Sequence, residues 1–184
     1  RIGKKLGSGA CGEVYECILL KATQGGCTSY VVKTSEIPLP KGQGVKISTA
    51  KRKEMTTAAD TIYAENMIYT TLLYDKLRFF PERFGYGEVS NTRYIILERL
   101  GRSLADELDD QNQKGKRMPL KMIGKIGHDI LNGLEYLHSR NIVYVDMKTD
   151  NIMLGKWCNG EVINSDEFRL VDFGASLKYN DVHG

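Results

Sequence analysis

The stretch Gly7-Ser8-Gly9-Ala10-Cys11-Gly12-Glu13-Val14, followed further on by Tyr30-Val31-Val32-Lys33, decides the fold. Glycine at these positions lets a backbone come close enough to phosphate oxygens to donate its N–H groups to them. Taken alone, the pattern also fits a plain glycine-rich hairpin turn. Its surroundings narrow the choice. A Walker-type loop needs lysine and then serine or threonine directly after the last glycine, whereas Glu13 and Val14 follow Gly12 here. A dinucleotide loop opens a helix and reaches an acid about 20 residues later, to hold a ribose. Here strand-like residues follow the glycines, and the residue at that distance is a base, Lys33. What remains is a loop joining two strands, with a lysine on the strand after it.

The rest of the amino-terminal half agrees with a small sheet. Glu13 to Leu20, Thr28 to Thr34 and Arg93 to Glu98 are short, rich in β-branched, aliphatic and aromatic residues, and bounded by glycine or polar clusters. Between the second and third, Ser35 to Asp60 contains Pro38, Pro40, Gly42, Gly44 and the basic run Lys51-Arg52-Lys53 without a sustained period, which predicts an inserted loop over 35–60. Asp60 to Leu73 then places Ile62, Ile68 and Leu72 on one helical face, with Glu65 in the middle of that stripe. Further on, Ser103 caps a predicted helix to Gln111, and Pro119 opens another to Ser139 with Met122, Ile123, Ile126, Ile130, Leu134 and Leu137 at helical spacing. Short strands are expected again at Ile142 to Val145, Ile152 to Leu154 and Phe168 to Val171. The order predicts an α+β chain of two unequal parts, a β-rich unit over 1–98 and a more helical one over 99–184.

The charges fall into three groups. Lys33 lies within an apolar strand and Glu65 within an apolar helix stripe, so each would be costly alone and each can neutralise the other. Glu54 is the second choice of partner for the lysine. Next, Tyr144-Val145-Asp146-Met147-Lys148-Thr149-Asp150-Asn151 places D-x-K-x-x-N on a loop between two strands. In that spacing Asp146 can accept the proton of an attacking hydroxyl, Lys148 can meet a transferring phosphoryl group, and Asn151 can ligate magnesium. Finally Asp172-Phe173-Gly174 sets a second metal-binding carboxylate at a strand end. Alone, D-F-G is commonly just a turn; the ordered set points to a site for magnesium-assisted phosphoryl transfer.

Composition removes other classes. The 184 residues are 41% hydrophobic and 27% charged, an ordinary globular balance, and the net charge of +3 gives neither a nucleic-acid footprint nor a polybasic membrane anchor. No apolar run approaches the roughly 20 residues that span a bilayer, so no membrane insertion is expected. Cys11, Cys17, Cys27 and Cys158 show no C-x-x-C spacing and stand apart from His128, His138 and His183, which argues against zinc. All four cysteines are read as free thiols of a reducing, intracellular compartment, cytoplasm or nucleus.

On these motifs the chain resembles the eukaryotic protein kinases from Ile2 to Tyr179. Within them, Ile95-Ile96-Leu97-Glu98-Arg99-Leu100-Gly101-Arg102-Ser103-Leu104 and Ile62-Tyr63-Ala64-Glu65-Asn66-Met67-Ile68-Tyr69 are similar to the casein kinase 1 and vaccinia-related kinase group. The resemblance implies a bilobal kinase fold, ATP and Mg2+ as cofactors, and protein substrates with serine or threonine acceptors. It implies nucleotide contacts from Leu6, Gly7, Gly9, Gly12 and Val14, with Lys33 on the α and β phosphates and Glu65 as its partner. Leu97 becomes the gatekeeper and Glu98 to Leu100 the hinge that meets adenine. Asp146 becomes the catalytic base, and Asn151 and Asp172 the magnesium ligands. Lys148 follows the serine/threonine kinase pattern.

Three departures stand out. Tyr144-Val145-Asp146 replaces His-Arg-Asp, so no arginine is available to pair with a phosphorylated activation loop, and activity is expected to be independent of such phosphorylation. Cys11 takes the tip of the glycine loop, where an aromatic is common; a reactive thiol or a passive small residue both fit. Gly184 follows Gly174 by ten residues with no A-P-E sequence. The expectation from that ending is an incomplete catalytic domain, poorly active alone and exposing apolar surface. The alternative function is a nucleotide-binding pseudokinase or truncated scaffold acting through partners.

Overall fold

Antiparallel pairing organises the amino-terminal half. Strands β1 (Ile2–Gly9), β2 (Gly12–Cys17), β3 (Tyr30–Glu36), β4 (Arg83–Val89) and β5 (Thr92–Glu98) make one sheet in the order β1-β2-β3-β5-β4. The structure, a computed structural model, describes residues 1–9, 12–18, 29–40, 47–72, 77–158 and 161–179. Ser90 and Asn91, both with positive φ (46° and 59°), form the two-residue turn that joins β4 to β5 and matches the twist of the paired strands. Period-two alternation in β5 turns Ile95 and Leu97 into the core. Against β3 and β5 packs α1 (Thr49–Leu72), which buries Ala59, Ile62, Glu65, Ile68 and Tyr69.

The second half begins with α2 (Leu104–Gln113). Ser103 caps it by accepting the Asp106 amide at 3.0 Å, while the Asp106 carboxylate takes the Ser103 amide at 3.3 Å, a reciprocal cap. Helix α3 (Leu120–Ser139) follows, with Pro119 at its N-cap and Leu137 fully buried. Two further antiparallel pairings follow among the described residues. β6 (Ile142–Val143) pairs with β9 (Leu177–Lys178), and β7 (Ile152–Cys158) pairs with β8 (Glu161–Leu170), with a single 3-10 turn at Thr149–Asn151 leading into β7. The architecture is α+β, a five-stranded antiparallel sheet backed by α1 and followed by a helical part with two two-stranded pairings. No described helix is long and apolar enough to cross a membrane.

Several expectations need correction. The loop read over 35–60 holds only in part, because α1 already begins at Thr49 and β3 runs on to Glu36; positions 41–46 lie outside the described residues. Ser48 caps that helix, its hydroxyl accepting the Lys51 amide at 3.1 Å, and Ala, Lys, Arg, Glu and Met supply good helix formers. The first three turns lack an apolar stripe because most of their residues face solvent. β2 stops at Cys17, with Leu19 and Leu20 outside the described residues, and β6 stops at Val143. β8 starts at Glu161 rather than Phe168, since its polar first half continues the hairpin away from the core. Ile123 of the α3 stripe is 50% exposed. Cysteine pairing differs too. Cys158 is disulfide-bonded and Cys17 is free, while Cys11 and Cys27 lie outside the described residues. The reading of four free thiols therefore fails at Cys158.

Candidate active site

One row of residues crosses the sheet and sets the ceiling of the site. Gly7 pairs with Val14, Val14 with Lys33, and Lys33 with Ile95. Residues opposite one another in a sheet share a face, so Val14 and Lys33 point the same way, with Leu97 two positions from Ile95 on that side. A Cβ at Gly7 or Gly9 would meet nothing within 4 Å, which leaves the backbone there open to a close approach. Gly12 differs, with φ +125° and a would-be Cβ 2.0 Å from the Thr34 carbonyl oxygen. Leu6 stays 39% exposed at the edge of the row. The Cys11 tip lies outside the described residues.

Beneath that row Lys33 Nζ lies 2.8 Å from Glu65 Oε2 and 2.8 Å from Asp172 Oδ1. One ammonium therefore joins strand β3, helix α1 and the end of β8. Burial works against its charge, yet the two carboxylates outweigh it and hold Lys33 well above the ordinary lysine range. Glu65, 1% exposed, is pushed up by burial and drawn back by Lys33, and its second oxygen accepts the Phe173 amide at 3.3 Å. Glu54, the other candidate partner, pairs instead with Lys51 on the exposed side of α1. Asp172 takes φ +59°, a conformation that costs a non-glycine residue of order 1–3 kcal/mol and persists where surroundings enforce it. Here they do. Phe173 is fully buried, with Tyr69, Phe80 and Tyr144 around it in edge-on contact at ring-centroid distances of 5.2, 5.6 and 5.5 Å.

The loop between β6 and β7 gathers the second group. Asp146 Oδ2 accepts Lys148 Nζ at 2.7 Å and Asn151 Nδ2 at 3.0 Å, and Asn151 Nδ2 also reaches the Asp146 carbonyl at 2.9 Å. The hydrogen bond from Lys148 holds the Asp146 carboxyl below the usual aspartate range. With its amide nitrogen committed to Asp146, Asn151 would meet a cation through Oδ1. Its carbonyl accepts the Val171 amide at 3.0 Å, which ties the loop to the strand end carrying Asp172. Among the described residues no three His, Cys, Asp or Glu side chains gather as a metal site; Asn151 and Asp172 both present oxygen donors, the ligand type that magnesium takes.

The segment after β5 supplies an edge. Leu100 bridges Lys156, a pairing that uses the Arg99 carbonyl and the Gly101 amide. Successive peptide groups alternate sides, so the N–H and C=O of Leu100 face away from β7. Leu97 and Leu100 are each 7% exposed and frame that edge with apolar surface.

Four participants escaped the sequence reading. Tyr144 donates its hydroxyl to the Val171 carbonyl at 2.6 Å and packs on Phe173, bracing the loop between β6 and β7 against Asp172-Phe173-Gly174. Tyr69 lies four residues from Glu65, one turn along the stripe already noticed, so its inward position was available from spacing. Arg169 and Lys156 reach the side chain of Glu98, a contact between distant strands that no local pattern announces. A family model described as Protein kinase domain matches residues 1–183.

Proposed function

The chain belongs to the protein kinase domain family, and from that premise we propose that it is an ATP- and Mg2+-dependent protein serine/threonine kinase. The observation that carries the reading is Lys33, 2.8 Å from both Glu65 and Asp172. That triple contact holds a phosphate-directed ammonium and a cation-directed carboxylate in one place before any ligand arrives. Mg2+-ATP, when bound, supplies the γ-phosphoryl group and the cation that neutralises its oxygens. The chain's own residues do the rest. Backbone at Gly7, Gly9 and Gly12 approaches the phosphates, and Lys33 offers them its ammonium. Asn151 Oδ1 and an Asp172 oxygen offer cation ligands. The Leu100 peptide offers a donor and an acceptor to the base edge, with Leu97, Val14 and Leu6 as its apolar surround. Asp146, ionised because Lys148 pairs with it, accepts the hydroxyl proton of a protein substrate, and Lys148 is placed beside the transferring group. The Lys148 position supports serine and threonine as acceptors over tyrosine.

The test is Mg2+-dependent phosphoryl transfer by the full-length gene product to serine, threonine and tyrosine peptides, beside an Asp146→Asn variant. A general base contributes about 10²–10⁴-fold, so the variant should lose at least about 10²-fold in kcat while still binding Mg2+-ADP. Binding without transfer in either protein would favour the pseudokinase alternative.

A further inference from the structure

Glu98 carries a feature that recognition through its peptide does not require. Its carboxylate, 6% exposed, receives Arg169 Nη1 at 2.5 Å, Lys156 Nζ at 2.8 Å and the Glu82 amide at 3.2 Å. Arg169 is 4% exposed and also reaches Glu167 Oε2 at 3.3 Å, while its Nε is buried with no hydrogen-bond partner. A buried charge cluster with an orphaned donor is a poor stabiliser, because apolar side chains of similar volume do as well or better. What such a cluster does supply is direction. The two cations come from β7 and β8, the acid from the last residue of β5, and the amide from the residue before β4. The carboxylate therefore fixes where segment 98–100 runs relative to the β7–β8 hairpin. Arg99 repeats the device on the other side. Its Nη1 lies 2.8 Å from Glu16 Oε1 of β2, and its guanidinium stacks over Trp157 of β7 at 4.4 Å.

We propose that Glu98 is a positioning residue, whose side chain, clamped by Arg169 and Lys156, sets the path of segment 98–100 and through it the affinity for nucleotide. This rests on the kinase reading of the site. The Leu100 peptide can read a base edge only if its own line is fixed, and groups outside a site commonly hold it to the geometry that binding needs.

The experiment is titration of Mg2+-ADP against the full chain, with thermal melting of each variant. The double variant Glu98→Met/Arg169→Met removes the central pair and fills its space with apolar groups. It should melt at or above the wild-type temperature yet bind Mg2+-ADP about tenfold more weakly, within the range by which residues outside a site modulate it. A folded double variant with wild-type affinity overturns the assignment, since a merely structural pair would leave binding alone. Lys156→Met reads the same clamp from a 38% exposed side chain whose loss leaves no cavity. If the double variant fails to fold, a Kd raised at least about twofold in Lys156→Met supports the assignment and an unchanged Kd overturns it. Failure of the wild type to bind Mg2+-ADP sinks the kinase reading and this inference with it. Wild-type binding beside unaltered variants sinks this inference alone.

Discussion

Replacing Lys33 with methionine should lower the stability of the whole chain through the acid it leaves behind. The variant strands the Glu65 carboxylate, 1% exposed, with the Phe173 amide at 3.3 Å as a remaining donor. Removing one member of a buried pair costs about 3–5 kcal/mol, because the other charge is left without compensation. The Asp172 leg adds little, since that carboxylate is 36% exposed and water screens it. For a chain of this length each kcal/mol moves the melting temperature by about 2–4 °C, so a loss of about 6–20 °C is expected near neutral pH. The pH dependence gives the sharper check. Burial raises the Glu65 pKa in the folded state, and losing Lys33 raises it further. The folded variant then binds a proton that the unfolded chain has released. Its penalty is absent below the unfolded carboxyl value of about 4.3 and grows as pH rises toward the folded value. Scanning calorimetry at about pH 5 and about pH 7.5 should therefore show the gap to wild type narrowing in acid. Lys33→Met/Glu65→Met should recover most of the loss. A single variant melting within about 2 °C of wild type at neutral pH, or a gap that ignores pH, would refute the buried-pair reasoning.

Gly12→Ala drives a Cβ to 2.0 Å from the Thr34 carbonyl at φ +125°, and should cost more than about 1 kcal/mol by thermal melting. Gly9→Ala, with open space around its Cβ, should leave the melting temperature unchanged; equal destabilisation of the two would contradict the geometry. Tyr144→Phe keeps the ring against Phe173 but removes the hydroxyl bond to Val171, a loss of about 1 kcal/mol in urea titration with an unchanged m value. Lys148→Met removes the hydrogen bond that depresses the Asp146 carboxyl, so the acid limb of the kcat pH profile should move upward in the full-length enzyme. An unmoved limb would assign that limb to another group.

The site was legible where chemistry is local in sequence. The glycine run, D-x-K-x-x-N and D-F-G each place their groups within a few residues of one another, and the apolar stripe around Glu65 announced an inward carboxylate seeking a cation. Lys33 was its economical partner, and the fold brings the two to 2.8 Å. The opening of α1 was not legible by period, because an exposed helix carries no apolar stripe; its signals were the Ser48 cap and propensity alone. Arg169 illustrates the opposite limit. Nothing around Phe168-Arg169-Leu170 reveals a buried ion pair, since its partner, Glu98, lies 71 residues away and meets it only through the stacking of hairpin against sheet. Cys158 shows the same dependence, its bonding being a matter of tertiary proximity that spacing could not supply.

The stack of Arg99 on Trp157 has an optical side. Trp157 is the single tryptophan of the chain, and it reports on the junction between sheet and hairpin rather than on the core around Phe173, whose ring neighbours are tyrosine and phenylalanine. Emission excited at the red edge of the absorption band thus follows one place only. A guanidinium against the indole face alters both its quenching and its polarity, so any opening of segment 98–100 registers as a change in intensity and wavelength without an attached dye. The protein carries its own fluorophore where β7 meets the guanidinium of Arg99.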